Sequence, residues 1–320
     1  VKRIGAGGMG EVFLARERGS TQLVVVKRIL PHLTGNARFL RLFLDEARIA
    51  ARLMHPNIAR ILELGEADGS WFVAMEYVPG RDLRDLLRRM KERDELTPVE
   101  VALRIGVEVA GGLDYAHRAT DNVGKPLKIV HRDVSPHNIL ISRYGEVKLV
   151  DFGVAKAANK SIHTATGVLK GKVPYMAPEQ ANARKVDPRT DVFALGIVLW
   201  ELLTVRHLFR GKSDAATLKK VRACHVCPPS EEVPQIPKSV DKLLLRALEK
   251  EPRRRYPDAR SFGEAIQEVL LGLGPADVQG FFHGLTEPDD FEDAASLSAA
   301  DPQESDTEET TRSLGAPTVD

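Results

Sequence analysis

Cysteine is scarce, with Cys224 and Cys227 the only examples in 320 residues. That is too few for a disulfide framework and points to a reducing, cytoplasmic compartment. Long hydrophobic runs are missing as well. The most apolar stretch, Val192 to Trp200, stops at Glu201, well short of the roughly 18 residues a membrane helix needs, and reads as a buried core helix. Neither a signal peptide nor an internal repeat is visible, and the chain opens on Val1, so a domain cut from a longer protein is expected. Net charge is close to zero, +1, but it is unevenly spread. From residue 274 onward twelve acids face one base, Arg312. This Ser/Thr/Pro-rich segment has too few apolar groups to fold alone, so residues 272–320 are expected to be a disordered acidic tail. The body before it is basic. It carries no recognisable nucleic-acid module, and basic charge suits a cleft that handles phosphate.

What is present suffices for two packed lobes, since 43% of the chain is hydrophobic. Ile4 to Ala15, Thr21 to Ile29 and Trp71 to Val78 read as strands. Arg38 to Met54 reads as an amphipathic helix whose inward stripe is Leu42, Glu46, Ile49 and Leu53. After Gly80 the pattern turns helical: Asp82–Glu92, Thr97–Arg118, Pro188–Leu203, Ser239–Leu248 and Ala259–Leu271. Thr97, Pro98 and Glu100 predict a capping box. An α+β fold follows, with a small strand-rich lobe of about residues 1–78 and a mainly helical lobe of about 79–271.

Chemistry-bearing residues are concentrated in a few places. Gly5, Gly7 and Gly10 form G-x-G-x-x-G between strands, where backbone amides can approach phosphate oxygens without a Cβ in the way. A dinucleotide fold would share the spacing, but there the last glycine opens a helix rather than a strand. Lys27 ends an apolar strand; taken alone it is a snorkelling surface lysine, but with Glu46 it makes an ion pair able to hold phosphates. His131-Arg132-Asp133, Asn138 five residues later and Asp151-Phe152-Gly153 combine a carboxylate for proton acceptance with oxygen ligands for a hard cation. Ala177-Pro178-Glu179 follows after 23 further residues.

In these motifs the chain from Val1 to about Leu271 resembles a Hanks-type bacterial serine/threonine protein kinase. The resemblance implies a bilobal protein-kinase-like fold, with ATP and Mg²⁺ as cofactors and proteins carrying Ser or Thr as partners. It makes Asp133 the catalytic base, Lys27 and Glu46 the phosphate-holding pair, and Asn138 and Asp151 the magnesium ligands. Ile4, Gly5, Gly7, Gly8, Gly10, Val12, Val25, Lys27, Met75, Glu76, Val78, Asp82 and Leu140 would contact the nucleotide, Met75 as gatekeeper and Asp82 toward the ribose. Glu179 should pair with Arg255, and Asp191 should brace the catalytic loop. Autophosphorylation of the activation loop at Thr164 or Thr166, with a transient dimer to perform it, is a further expectation.

The chain departs from the family pattern at Ser135, where a lysine usually stands, and at Lys172, where a threonine is usual. Either Lys172 supplies the charge that Ser135 lacks, and so belongs to the catalytic set, or it is an exposed specificity residue. Residues 119–128 read as an inserted surface loop. Cys224 and Cys227 form C-x-x-C without further ligands and are read as structural. The rival readings are a pseudokinase, favoured by Ser135, and a small-molecule phosphotransferase, disfavoured by Ala177-Pro178-Glu179.

Overall fold

β-Branched and glycine-punctuated segments at the N-terminus pair into a five-stranded antiparallel sheet of order β1-β2-β3-β5-β4. Its strands are β1 (Lys2–Ala6), β2 (Gly10–Arg16), β3 (Leu23–Ile29), β4 (Ile61–Ala67) and β5 (Ser70–Glu76). A short turn, α1 (Pro31–Thr34), leads into helix α2 (Ala37–Ala50). The computed structural model describes residues 1–7, 10–16, 19–152, 173–287 and 290, without the side chains of residues 31, 32, 38 and 46.

Helix α2 starts where Asn36 accepts a hydrogen bond from the Phe39 amide at 3.0 Å. It packs on Ile29 and Val73 through Phe39, Phe43 and Ala47. Of the expected stripe Leu42, Glu46, Ile49 and Leu53, Leu53 is buried and Leu42 packs partly buried on the same cluster, while the fully buried row of the helix is Phe39, Phe43 and Ala47; the Glu46 side chain itself is outside the described residues.

The second lobe begins with β6 (Gly80–Asp82), which pairs with β7 (Ile139–Ser142) and through it with β8 (Val147–Leu149). Only glycine fits at position 80, because a Cβ there would lie 1.9 Å from the Ile141 carbonyl oxygen. Helices α3 (Leu83–Arg93), α4 (Val99–Arg118), α5 (Pro178–Ala181), α6 (Arg189–Thr204), α7 (Asp214–Ala223), α8 (Pro229–Glu232), α9 (Lys238–Ala247) and α10 (Ala259–Leu271) build the remainder. Helix α6 is buried on all sides, as its uninterrupted apolar sequence requires. Among the described residues no helix is long and apolar enough to cross a membrane.

Two local expectations are corrected. Helix α4 begins after Pro98 without a side-chain cap, and buried Thr97 instead donates to the Met90 sulfur at 3.2 Å, so the capping box does not form. The packed body also extends past residue 271. Helix α11 (Val278–Leu285) buries Val278, Phe282 and Leu285 against α3, α4 and β7. Beyond it Asp290 receives hydrogen bonds from Arg81 (2.8 Å) and Arg89 (2.6 Å and 2.8 Å). Charge dominates composition after residue 272, but three apolar residues on one helical face are enough to dock a short helix. Inserted residues 119–128 do form a surface turn, closed by Asp121 accepting from the Val123 and Lys125 amides.

If α11 contributes to the fold, Phe282→Ala should cost about 3–5 kcal/mol, the usual penalty for emptying an aromatic site in a core. Urea unfolding measures this directly. A change within about 0.5 kcal/mol, typical of surface sites, would mean that α11 is only an appendage.

Candidate active site

The upper wall of the cleft follows from strand register. Val12 lies opposite Lys27, and Val25 opposite both Leu14 and Met75. Cross-strand partners share a face, so Val12, Val25, Lys27 and Met75 line one side of the sheet. The glycine turn is closed by the Gly7 amide donating to the Gly10 carbonyl at 2.8 Å. A Cβ at Gly10 would lie 2.3 Å from the Arg28 carbonyl oxygen, so glycine is needed for β2 to begin tight against β3. Gly5 sits at a register irregularity in β1 beside exposed Ile4, and Gly8 lies outside the described residues.

The lysine meets the lower lobe. Lys27 Nζ donates to both carboxylate oxygens of Asp151, at 2.8 Å and 2.7 Å. The expected pairing with Glu46 lies outside the described side chains. Asp151 has φ +58° and Arg132 φ +63°, a left-handed backbone that non-glycine residues adopt only under constraint. Such strain collects at sites where geometry matters more than local comfort.

The constraint on the catalytic loop is the Asp191 carboxylate. It accepts from the His131 and Arg132 amides at 2.8 Å each, and it pairs with His117 Nε2 at 2.8 Å. Burial alone would push this carboxyl up, but the His117 contact and the backbone donors hold it below the usual carboxylate range. His131 is fully buried, packs on the Phe152 ring at 4.6 Å and contacts the Val150 carbonyl at 3.1 Å. Asp133 thereby faces the cleft, where Asn138 Nδ2 donates to its carbonyl (2.8 Å) and its Oδ2 (3.0 Å). Both amide hydrogens of Asn138 are thus committed, so that its Oδ1 is the atom left to act as an oxygen donor. Oxygen donors of this kind fit magnesium better than a nitrogen- or sulfur-seeking metal.

The floor and connector are equally ordered. The Glu76 amide donates to the Arg60 carbonyl at 2.8 Å, while the Glu76 carboxylate binds Lys148 Nζ at 2.6 Å. Val78 is buried just beyond it. Asp82 is the register partner of Leu140 and caps α3 by accepting from the Asp85 amide at 2.8 Å. His137 Nδ1 lies 2.9 Å from the other Asp82 oxygen. Behind Met75 a cavity of about 30 Å³, lined by Phe43, Ala50, Ile61, Val73 and Phe152, is too small for more than a water or so.

Below the cleft Arg255 donates to both oxygens of Glu179, at 2.7 Å and 2.8 Å, and Thr190 adds a third donor at 2.8 Å. This is the pairing expected from the motif residues. Ser135 is buried at the start of the 3-10 turn Pro136–Asn138, while Lys172, Thr164 and Thr166 lie outside the described residues. Both thiols of the C-x-x-C pair are free. Cys224 is pushed up to about 11 by burial, and Cys227 to about 11 by its contact with Glu231. Among the described residues no three or more His, Cys, Asp or Glu side chains gather into a metal-holding group.

This arrangement of loop, lysine and carboxylates agrees with comparison to known proteins. The profile of the protein kinase domain matches residues 1–268. The chain belongs to the protein kinase family. The kinase is 43% identical over 291 residues to the tyrosine-protein kinase MasK of Myxococcus xanthus, covering 89% of this chain and 45% of that protein. It is 37% identical over 267 residues to the serine/threonine-protein kinase PrkC of Bacillus subtilis, covering 83% of this chain and 39% of the other. The crystal structure of the Mycobacterium tuberculosis PknI kinase domain superposes with a TM-score of 0.63 at 29% identity, over 83% of this chain and 93% of that one. The kinase thus spans less than half the length of these two curated relatives.

Two site residues escaped the sequence reading. His117 is separated from the catalytic loop by the inserted turn, and no local pattern ties it to Asp191. His137 was in view between Pro136 and Asn138, but only the fold brings it to Asp82.

Asp191→Asn should destabilise the kinase by about 3–5 kcal/mol near neutral pH, because it strands buried donors around a lost charge. A carboxyl held low in the folded state contributes above its unfolded pKa of ~3.9 and loses that contribution as pH falls through the folded value. The gap between wild type and variant, measured by urea unfolding, should therefore narrow below about pH 4.

Proposed function

We propose that this domain transfers the γ-phosphoryl group of Mg-ATP to serine or threonine hydroxyls of proteins. The observation that carries the reading is Asp133, aimed into the cleft by the Asn138 amide and by a loop fastened to Asp191, across from the Lys27–Asp151 pair. The acceptor oxygen attacks the γ-phosphorus, its proton passes to the Asp133 carboxylate, and the bond to the bridging oxygen breaks to release ADP. Lys27 holds the phosphates, and Val12, Val25 and Leu140 enclose the base. Magnesium, held by Asn138 and Asp151, supplies neutralisation of phosphate charge. Relatives named as serine/threonine kinases support the acceptor class, while the name of MasK keeps tyrosine in view as an alternative outcome. A pseudokinase is disfavoured, since the aspartates, asparagine and lysine that transfer requires are present.

Autophosphorylation at Thr164 or Thr166 belongs to the same reading. Arg132 stands beside the base, and its Nε is buried without a partner among the described residues, so it suits a phosphate placed on the activation loop. Lys172 is proposed to supply the charge that Ser135 lacks.

With labelled ATP and Mg²⁺ the wild-type protein should label protein substrate on serine or threonine, and Asp133→Asn should lower the rate by about 10²–10⁴. Phosphotyrosine as the sole product would reverse the acceptor assignment, and an unaffected Asp133→Asn rate would remove the base. Lys172→Thr should cost about 10² in kcat, with recovery in Ser135→Lys/Lys172→Thr. Wild-type turnover by Lys172→Thr would leave Lys172 a specificity residue.

A further inference from the structure

The surface flanking the catalytic loop presents positive charge outward and keeps its carboxylates beneath. On one side Arg84, in the first turn of α3, is 69% exposed and reaches Asp82 Oδ2 at 3.6 Å, while Asp82 is only 15% exposed. Exposed His137 contacts the same oxygen and so helps to cover it. On the other side Glu201, at the end of α6, is 1% exposed and fully engaged. Its Oε2 accepts from the Tyr175 hydroxyl at 2.7 Å and contacts His207 Nδ1 at 3.2 Å, and its Oε1 accepts from the Leu208 amide at 3.1 Å. His207 Nε2 in turn lies 2.9 Å from Arg210 Nη1, which fits a ring that donates from Nδ1 and accepts at Nε2. The Glu201 carboxylate is therefore consumed within the fold, and the exposed guanidinium linked to it through His207 is Arg210. Tyr175 lies just before α5. That segment is tied to the catalytic loop, because Gln180 Nε2 donates to the Arg132 carbonyl at 3.1 Å.

We propose that this surface selects hydroxyl acceptors embedded in acidic sequence, with Arg84 and Arg210, one on each side of the catalytic loop, as specificity residues. The inference rests on the protein kinase reading and names the substrate class of that same site. Buried carboxylates with satisfied donors offer little to an incoming cation, whereas exposed guanidinium groups pair with carboxylates at small desolvation cost. The chain itself contains a segment of the required chemistry: residues 301–311 place Ser305, Thr307, Thr310 and Thr311 among Asp301, Glu304, Asp306, Glu308 and Glu309.

The test uses two peptides, one with the sequence of residues 301–311 and one in which every Asp and Glu is Lys. Fluorescence anisotropy with the Asp133→Asn protein reads binding without transfer, and initial rates with the wild type read kcat and KM. The acidic peptide should bind about tenfold more tightly, the scale of two exposed ion pairs, with the preference carried in KM and weakened by salt. Arg84→Glu/Arg210→Glu should abolish or invert the preference. Equal or tighter binding of the lysine peptide, or an acidic preference that survives the double substitution, would overturn the proposal. Peptide binding without labelling of either peptide by the wild type would instead count against the kinase reading.

Discussion

One carboxylate sets the geometry on which the site depends. Asp191 has no solvent of its own, and it holds two consecutive amides of the catalytic loop together with His117. Fixing two adjacent peptide groups leaves Arg132 in a left-handed conformation, and this turns the next residue, Asp133, toward the cleft. The anchor is placed by α6, whose burial on every side removes its freedom to shift. A rigid helix in the large lobe thus determines where the Asp133 carboxylate stands.

A second buried charge pair performs a different task. Glu179 and Arg255 are satisfied by each other, by Thr190, and by the carbonyls of Glu249, Lys250 and Arg189. The Arg255 guanidinium also lies 4.6 Å from the centre of the Phe193 ring. An ion pair so enclosed adds little net stability over an apolar pair of equal size, but removing one partner is expensive. Its use is to fix α5 to α6 and to the turn before α10 in one register, and this seats Gln180 against the catalytic loop.

Much of the site was legible because its residues are polar and charged groups at fixed spacings in apolar surroundings. Lys27 in a run of valines and Asp133 with Asn138 five residues on are of this kind. The parts that were not legible depended on choices made by the fold. On α2 the rows Phe39/Phe43/Ala47 and Leu42/Glu46/Ile49 both have helical spacing, and only the packing on Ile29 and Val73 shows that the first is the fully buried one. Thr97 had every local feature of a cap, but its hydroxyl turns to the Met90 sulfur instead. Helix α7 shows weak amphipathicity, so its start was signalled by little besides Ser213, which accepts from the Ala216 amide. Helix α11 was hidden by averaging, because charge across the last residues masked three well-spaced apolar groups.

The route of the chain after α10 has a mechanical consequence. Instead of leaving from the far end of the large lobe, the backbone returns along α3 and is tied by Asp290 to Arg81 and Arg89, just past the connector between the lobes. Arg93 adds a bond to the Gly284 carbonyl on the way. A pull on Asp290 would therefore be borne first by the guanidinium groups of Arg81 and Arg89, and through them by β6 and α3, before it reached α11.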